Sequence, residues 1–232
     1  MGKIKIKDAA TVILLRDVAS HPRVLMGQRG ANAAFMPNKF VFPGGAVDPG
    51  DGQIALARPF SSENEKNLSE VAHLTPNALA AAAIRELWEE AGLILGTKGA
   101  WEGTVPADWQ SFAATGHIPS AEMLHFVFRA ITPPQRPRRF DARFFLVDAS
   151  ALASDADDFS AASDELTHLQ WVPLDKARDF DLPFVTEVVL AEVAATLPHI
   201  GPPRSVPFFN NTDEQNLFER LVGQSPLGGL KA

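Results

Sequence analysis

Residues 75–92 constrain the fold of this chain more than any other segment, because they predict a helix with both ends marked. Thr75 is a good N-cap, and Pro76 suits the first helical position. Alanine occupies most of the next two turns and favours propagation of the helix. Gly92 fits the left-handed position that commonly follows a last helical turn. The sequence therefore predicts one helix over residues 76–91.

Three carboxylates lie on one face of this predicted helix. Glu86, Glu89 and Glu90 stand at positions i, i+3 and i+4, so their Cβ atoms converge to within about 5–6 Å. Like charges this close are unfavourable unless a cation offsets them, and carboxylate oxygens suit Mg²⁺ or Mn²⁺. Arg85 stands four residues before Glu89 and can orient that carboxylate. A solvated acidic face would explain these residues in isolation, but the loop upstream favours a metal site.

That upstream loop is rich in glycine and follows a short apolar run. Residues 42–51 read Phe-Pro-Gly-Gly-Ala-Val-Asp-Pro-Gly-Asp. The loop and the helix together resemble the Nudix box of the Nudix hydrolases. The box has Gly, five residues, Glu, seven residues and then Arg-Glu-U-x-Glu-Glu-x-Gly-U, with U aliphatic. Residues 85–93 match the second half throughout, and Gly45 and Asp51 fit the first half if Asp replaces Glu.

The spacing inside the box departs from the family pattern. Residues 52–84 stand where the family has seven residues, so about two dozen are inserted, at a small entropic cost if the ends stay close. This insertion leaves open whether Asp51 reaches the helix. Asp48 lies in the same loop, and both are candidate auxiliary acids of the site. The resemblance implies a Nudix fold, an α/β/α sandwich with a mixed β-sheet. We expect a single domain over residues 1–232, with the insertion at about 52–75 and a C-terminal extension from about 198.

The resemblance also implies an activity and its residues. Nudix hydrolases cleave the diphosphate linkage of a nucleoside diphosphate joined to another moiety, with Mg²⁺ or Mn²⁺ as cofactor. By this resemblance Glu86, Glu89 and Glu90 are the metal ligands, and Arg85 and Glu89 belong to the catalytic set. Consecutive glycines at 44 and 45 let the backbone approach both the metal cluster and the substrate.

Further segments resemble bacterial relatives of the peroxisomal coenzyme A diphosphatases. They are Phe35-Met36-Pro37, the interrupted box, and residues 131–133 and 138–145. This resemblance implies coenzyme A or an acyl derivative as the preferred substrate, with Arg29, Phe35 and Arg139 as substrate contacts. The shorter coenzyme A diphosphatases have arginine and glycine where this chain has Ala34 and Asn38. Nucleotide sugars and dinucleotides therefore stay open as substrates.

One more acid and a group of arginines are candidates for the site. Glu165 resembles an acidic loop position that many family members place opposite the metal helix. It is either a further metal ligand or the general base for the attacking water, and the alternative is a solvated loop acid. Arg138, Arg139 and Arg143 can contact phosphates, although one of them is expected to pair with Asp141. Phe35 is the best candidate for stacking on a nucleobase.

Composition narrows the class of protein. The chain has 232 residues, 46% of them hydrophobic, which is enough for one good core. It has no cysteine, which excludes disulfides and thiolate metal sites and fits a cytoplasmic location. The net charge of −7 argues against nucleic-acid binding, and apolar runs stay below the roughly 20 residues that span a membrane. The expected partner is a small-molecule diphosphate, and the C-terminal tail leaves room for a homodimer contact.

Hydrophobic patterning predicts the other elements. The predicted strands are residues 10–16, 23–29, 123–131, 140–147 and 166–172. The predicted helices are residues 106–115, 184–197 and 212–221. The insertion reads as a surface excursion with short helical pieces.

Two rival functions remain at this stage. A Nudix-like module that only senses a nucleotide would not need three metal ligands, so the intact second half of the box counts against it. An isomerase of prenyl diphosphates on the same fold needs an added proton donor. That donor is commonly cysteine in the relatives considered, and this chain has none.

Overall fold

A computed structural model describes residues 5–68, 74–212 and 217–221 of the chain. Its strands are β1 Ile6–Arg16, β2 Arg23–Arg29, β3 Phe40–Val41, β4 Gly44–Ala46, β5 Gly96–Lys98, β6 His117–Pro119, β7 His125–Ile131, β8 Arg139–Asp148, β9 Leu166–Pro173, β10 Val206–Asn210 and β11 Leu217–Leu221. Its α-helices are α1 Ser62–Leu68, α2 Pro76–Ala91, α3 Gln110–Ala113 and α4 Phe184–Thr196. No helix in these described ranges is both long and apolar enough to cross a bilayer.

The main sheet is mixed and is organised around β1. Its strand order is β11-β10-β7-β8-β1-β2-β3, with β4 pairing to β1 and β9 pairing to β2. Strand β1 runs parallel to β8 over residues 6–15 and antiparallel to its other neighbours. Residues 9–11, in the middle of β1, pair with β4, and the last two residues of β1 pair with β2. This division brings the glycine-rich loop onto the middle of the sheet.

Hydrophobic cores lie on both faces of the sheet. Alternation along β1 directs Val12 and Leu14 into the core under α2, and Ile13 and Leu15 into the core under α4. Residues 80–83 of α2 are all alanine and fully buried, so the helix can lie close against the sheet. The predicted layers are confirmed, with a mixed sheet between helices.

The insertion is largely exposed and contains short helical pieces, as the sequence predicted, but several of its residues are buried in the core. Phe60 is buried and stacks on Phe145 at 5.4 Å between ring centroids. Asn64 on α1 is fully buried and makes hydrogen bonds to the backbone of Leu124 and Phe126. The short helix was expected, but its buried face was not, because a run of mostly polar residues contains the buried Asn64, Asn67 and Leu68. Residues 69–73 lie outside the described residues.

The prediction of a last helix at residues 212–221 is wrong. Residues 217–221 form β11, which pairs antiparallel with β10, and β10 pairs parallel with β7. Residues 213–216 lie outside the described part. Five residue pairs between β10 and β11 stabilise an extended conformation of residues 217–221. The helical pattern of the sequence was weak and offered these residues no apolar face to bury in its place. Strand β10 was not predicted either, since prolines precede it and one lies within it.

Candidate active site

Helix α2 begins and ends where the sequence predicted. The Thr75 hydroxyl accepts a hydrogen bond from the Ala78 N–H at 3.2 Å, which satisfies one free donor of the first turn. Gly92 has φ 69° and donates its N–H to the Trp88 carbonyl at 2.8 Å. These local interactions hold the last two turns of α2, which carry the acidic residues, against one end of the sheet.

The three predicted metal ligands differ in exposure. Glu90 is 1% exposed and Glu86 is 9% exposed, whereas Glu89 reaches solvent. The Gly44 N–H donates to Glu90 Oε2 at 2.7 Å, so the loop backbone contacts the helix directly. A Cβ atom on Gly45 would lie 2.5 Å from the Glu86 carboxylate, so only glycine lets the strand pass this close. Both glycines therefore act through their backbones, as predicted from the motif.

Arg85 joins the loop to the helix. Its guanidinium donates to both carboxylate oxygens of Asp51, at 3.2 and 3.0 Å, and to the Ala46 carbonyl at 3.0 Å. It also donates to Glu86 at 2.8 Å and to Glu89 at 3.4 Å. Burial alone would lower the pKa of Arg85, but its hydrogen bond to Asp51 and the surrounding carboxylates raise the pKa above its ordinary value. Arg85 is thus a positioning residue at the centre of the acidic cluster.

The two auxiliary acids of the loop have different surroundings. Asp51 is 2% exposed and also accepts a hydrogen bond from the Asp48 N–H at 2.8 Å. Asp51 therefore reaches α2 across the insertion, and it does so through Arg85. The Asp48 side chain is 55% exposed and lies 3.6 Å from Arg85. Asp51 is a structural partner of Arg85 in this arrangement, while Asp48 remains accessible from solvent.

The buried carboxylates are poorly compensated. Burial raises the pKa of Glu86 to about 7, against the lowering effect of Arg85. Burial likewise raises the pKa of Glu90 to about 8, against the hydrogen bond from Gly44. Glu90 Oε1 is buried without a hydrogen-bond partner among the described residues, and Arg29 lies 3.9 Å away. Uncompensated buried oxygens of this kind favour a proton or a cation.

These acids are not already gathered as a metal centre. Within the described residues, no group of three acidic, histidine or cysteine side chains is arranged to hold a metal ion. Arg85 accounts for much of this, because its guanidinium engages both Glu86 and Glu89. The donor set nevertheless fits a hard divalent cation, since it consists of carboxylate oxygens and includes the unpartnered Oε1 of Glu90.

Arg29 and Glu165 face this cluster from β2 and the start of β9. Arg29 pairs with Leu166 in the sheet, so the residue before Leu166 is brought next to the arginine. Arg29 donates to the Glu165 carboxylate at 2.9 Å, and that side chain is 55% exposed. The negative charge of Glu165 contributes to the raised pKa values of both Glu86 and Glu90. The structure thus brings Glu165 close to the metal helix, where an exposed carboxylate can accept a proton.

These residues line one end of a cleft of about 1230 Å³. Phe35 lines it and packs edge-on against Phe140, with 5.1 Å between ring centroids. Arg139 also lines it, but its guanidinium donates to the carbonyls of Thr132, Asn211 and Thr212. Arg139 therefore holds neighbouring segments together, and contact with a substrate stays a prediction for it, as it does for Phe35.

The predicted structural partner of Asp141 is Arg143. Its guanidinium is fully buried, lies 3.3 Å from Asp141 and donates to Asp8 at 2.5 Å. Arg129 binds the same Asp141 through two hydrogen bonds, at 2.9 and 2.7 Å. This charged network lies within the sheet, so Arg143 is a structural residue and does not contact phosphates.

Sequence reasoning missed several residues of the cleft. The cleft is also lined by Lys5, Lys7 and Arg136. Phe184, at the start of α4, lines it as well and is 67% exposed. A signal for the lysines was present, because residues 3–7 alternate lysine with isoleucine and a strand places alternate residues on one face. For Phe184 the sequence held no such signal, since an aromatic residue in an apolar helix usually belongs to the core.

Comparisons with known proteins identify relatives, although no family model matches the chain. A curated Caenorhabditis elegans protein that carries the name nudix hydrolase 7 is 29% identical over 178 residues, covering 72% of this chain and 51% of that protein. The chain therefore spans about half the length of this curated relative.

Solved structures share the fold. The crystal structure of a Nudix hydrolase from Alicyclobacillus acidocaldarius has a TM-score of 0.59 and 28% identity, covering 87% of this chain and 100% of that chain. The MutT protein from Methanosarcina mazei Go1 has a TM-score of 0.50 and 15% identity, covering 86% and 100%. The second similarity concerns the fold alone. Together they confirm the mixed α/β architecture that the sequence predicted.

Proposed function

Because this chain belongs to the Nudix hydrolase superfamily, we propose that it hydrolyses the diphosphate linkage of a nucleoside diphosphate joined to another moiety. One observation carries the proposal: carboxylates of α2 and several cationic side chains line a single cleft. The acidic end suits a divalent cation, and the cations suit the phosphates of the substrate. The preferred substrate class is coenzyme A or an acyl derivative of it.

The proposed cofactor is Mg²⁺ or Mn²⁺, held by Glu86, Glu89 and Glu90. The carboxylate donors, the unpartnered oxygen of Glu90 and the raised pKa values of Glu86 and Glu90 support this assignment. A bound divalent cation supplies positive charge to the diphosphate oxygens and activates water. A cation held by these residues would replace Arg85 as the partner of Glu86 and Glu89, and the hydrogen bond from Arg85 to Asp51 would not need to break.

The side chains of the cleft have separate roles in the reaction. A water oxygen bonds to one phosphorus, the bond from that phosphorus to the bridging oxygen breaks, and the electron pair leaves with the second phosphate. Glu165 takes the proton of the attacking water, because its exposed carboxylate lines the cleft near the acidic cluster. Arg29 orients Glu165, and Arg85 keeps Asp51 and the loop against α2.

The first experiment is a substrate panel. Purified protein with Mg²⁺ or Mn²⁺ is incubated with coenzyme A, acetyl-coenzyme A, NADH, ADP-ribose and diadenosine polyphosphates, and products are read by mass spectrometry. We expect cleavage at the diphosphate, and coenzyme A should give two phosphorylated halves. If no compound is cleaved while the protein still binds Mn²⁺, the hydrolase assignment is wrong and a nucleotide-sensing role gains support.

A matched pair of variants tests the site residues. Glu89→Gln should lower kcat by about two orders of magnitude or more while leaving the fold intact, because it removes a ligand charge from a partly exposed position. Glu122→Gln is the control, since Glu122 forms an exposed ion pair with Arg58 outside the acidic cluster. Full activity of the Glu89 variant with saturating Mg²⁺ would refute its assignment as a metal ligand.

A further inference from the structure

The cleft has a second cationic region away from the carboxylates. The side chains of Lys5, Lys7, Arg136 and Arg138 all line it and are exposed, and we call these four residues the basic patch. The acids that line the same cleft are Glu86, Glu89 and Glu165, which lie at its other end. In a protein of net charge −7, this separation of charge within one cleft is not a general property of the surface.

The other cations of the cleft already have hydrogen-bond or ion-pair partners among the described residues. Arg29 pairs with Glu165, Lys39 pairs with Asp181, and Arg139 donates to backbone carbonyls. None of the four patch residues forms an ion pair within residues 5–68, 74–212 and 217–221. Their charges are therefore available to an anion from outside the chain.

The sheet register holds the basic patch together. Strands β1 and β8 are parallel, with Ile6 opposite Arg139 and Lys7 opposite Phe140. Lys5 and Arg138 immediately precede the first residue pair of these two strands, so both lie at the start of the β1–β8 pairing. Both side chains line the cleft there.

The loop between β7 and β8 places the two arginines. Residues 133, 134 and 137 are prolines, which restrict the backbone on either side of Arg136. The loop is closed at its base by Thr132, whose N–H donates to the Phe140 carbonyl at 2.8 Å and whose hydroxyl accepts from the Phe140 N–H at 3.0 Å. The arginines are thus carried on a preorganised loop beside the strand that bears the lysines.

The register also sets the distance to the reacting group. Ala10 of β1 pairs with Gly45, which contacts the acidic cluster. At about 3.3 Å per residue, Lys7 lies roughly 10 Å and Lys5 roughly 17 Å along the strand from that point. A single diphosphate bound at the acidic end does not extend this far, so the basic patch faces another part of the same ligand.

From this geometry we infer that the basic patch is a second anion subsite that binds a phosphate monoester of the substrate, separate from the diphosphate that is cleaved. This inference rests on the proposed function. It narrows the proposed substrates to compounds that carry a third phosphoryl group, either on the nucleoside or at a comparable distance from the diphosphate. A phosphate monoester dianion suits guanidinium and ammonium donors better than a diester does, because it offers more charge and more acceptor oxygens.

Binding without metal tests the subsite independently of catalysis. The probes are adenosine 3′,5′-bisphosphate, which carries its phosphates apart, and ADP, which carries them together, measured by isothermal titration calorimetry with EDTA. The double variant Lys7→Gln/Arg138→Gln should weaken bisphosphate binding about tenfold and ADP binding less than threefold. The control Lys98→Gln/Lys176→Gln makes the same charge change at exposed residues outside the cleft and should alter neither. Equal weakening for both probes, or none, would overturn the subsite.

Hydrolysis separates failure of the subsite from failure of the proposed function. With Mg²⁺ present, the wild type should show a KM for coenzyme A about tenfold below that for dephospho-coenzyme A, and the double variant should lose this preference. If both compounds are cleaved with equal KM by the wild type, the proposed function stands and the subsite is wrong. If neither is cleaved and other diphosphates are also untouched, the proposed function fails, and the calorimetry alone decides the subsite.

Discussion

The bond between Asp51 and Arg85 joins the two halves of the interrupted box, and Asp51→Asn measures its strength. Both side chains are almost fully buried, and the two hydrogen bonds are charge-assisted. Such bonds contribute about 1.5–3 kcal/mol each, but Arg85 keeps Glu86 and Glu89 as partners in the variant. We therefore expect the free energy of unfolding to fall by about 2–4 kcal/mol, which lowers Tm by about 5–15 °C in a chain of this size.

The assay is urea unfolding with EDTA present, so that cation binding does not contribute to stability. Asp157→Asn is the matched control, because Asp157 forms an even shorter ion pair with Arg16, at 2.7 Å against 3.0 Å for Asp51 and Arg85, but is 66% exposed. The control should cost less than about 1 kcal/mol. If both substitutions cost the same, burial of the Asp51 pair does not determine its strength and the argument fails.

Three further predictions follow from other parts of the structure. Asp141→Asn should lower the free energy of unfolding by about 3–5 kcal/mol, because it leaves the fully buried Arg143 with one carboxylate fewer and Arg129 with none. Burial, with His199 nearby, lowers the pKa of His125, so the fold favours its neutral form. Stability from His125 is present above its unfolded pKa of about 6.5 and is lost as the pH falls, and His125→Gln should reduce the loss of Tm between pH 7 and 5. Gly45→Ala should reduce kcat about tenfold or more, because its Cβ would displace the Glu86 carboxylate.

Each of these predictions has an outcome that would contradict it, and the Gly45 variant also has a matched control. For Gly45→Ala the control is Gly50→Ala, since a Cβ on Gly50 meets nothing within 4 Å and its φ of −80° suits alanine. Unchanged activity of the Gly45 variant would show that the Glu86 position is unimportant. For Asp141→Asn, a cost below about 1 kcal/mol would contradict the role of the buried network. For His125→Gln, an unchanged pH profile of Tm would assign the acid sensitivity to other groups.

The sequence by itself determined the helix that carries the candidate ligands. Its N-cap, its glycine stop and the convergence of Glu86, Glu89 and Glu90 depend on residues within four positions of one another. Interactions this local survive any tertiary arrangement that leaves the helix intact. The strands that alternate apolar residues on a buried face were recognisable for the same reason, and β1 and β2 confirm the predicted pair.

Only the tertiary structure decided which distant segments meet. Asp51 reaches Arg85 because the insertion between them folds back into the core, which no local pattern encodes. Lys7 comes to lie opposite Phe140 through the parallel register of β1 and β8, and a shift of one residue would turn Lys7 to the other face of the sheet. Residues 217–221 are a strand because β10 offers them an edge. Pairings of this kind are set by the burial and register of whole elements, which the residues adjacent in sequence do not specify.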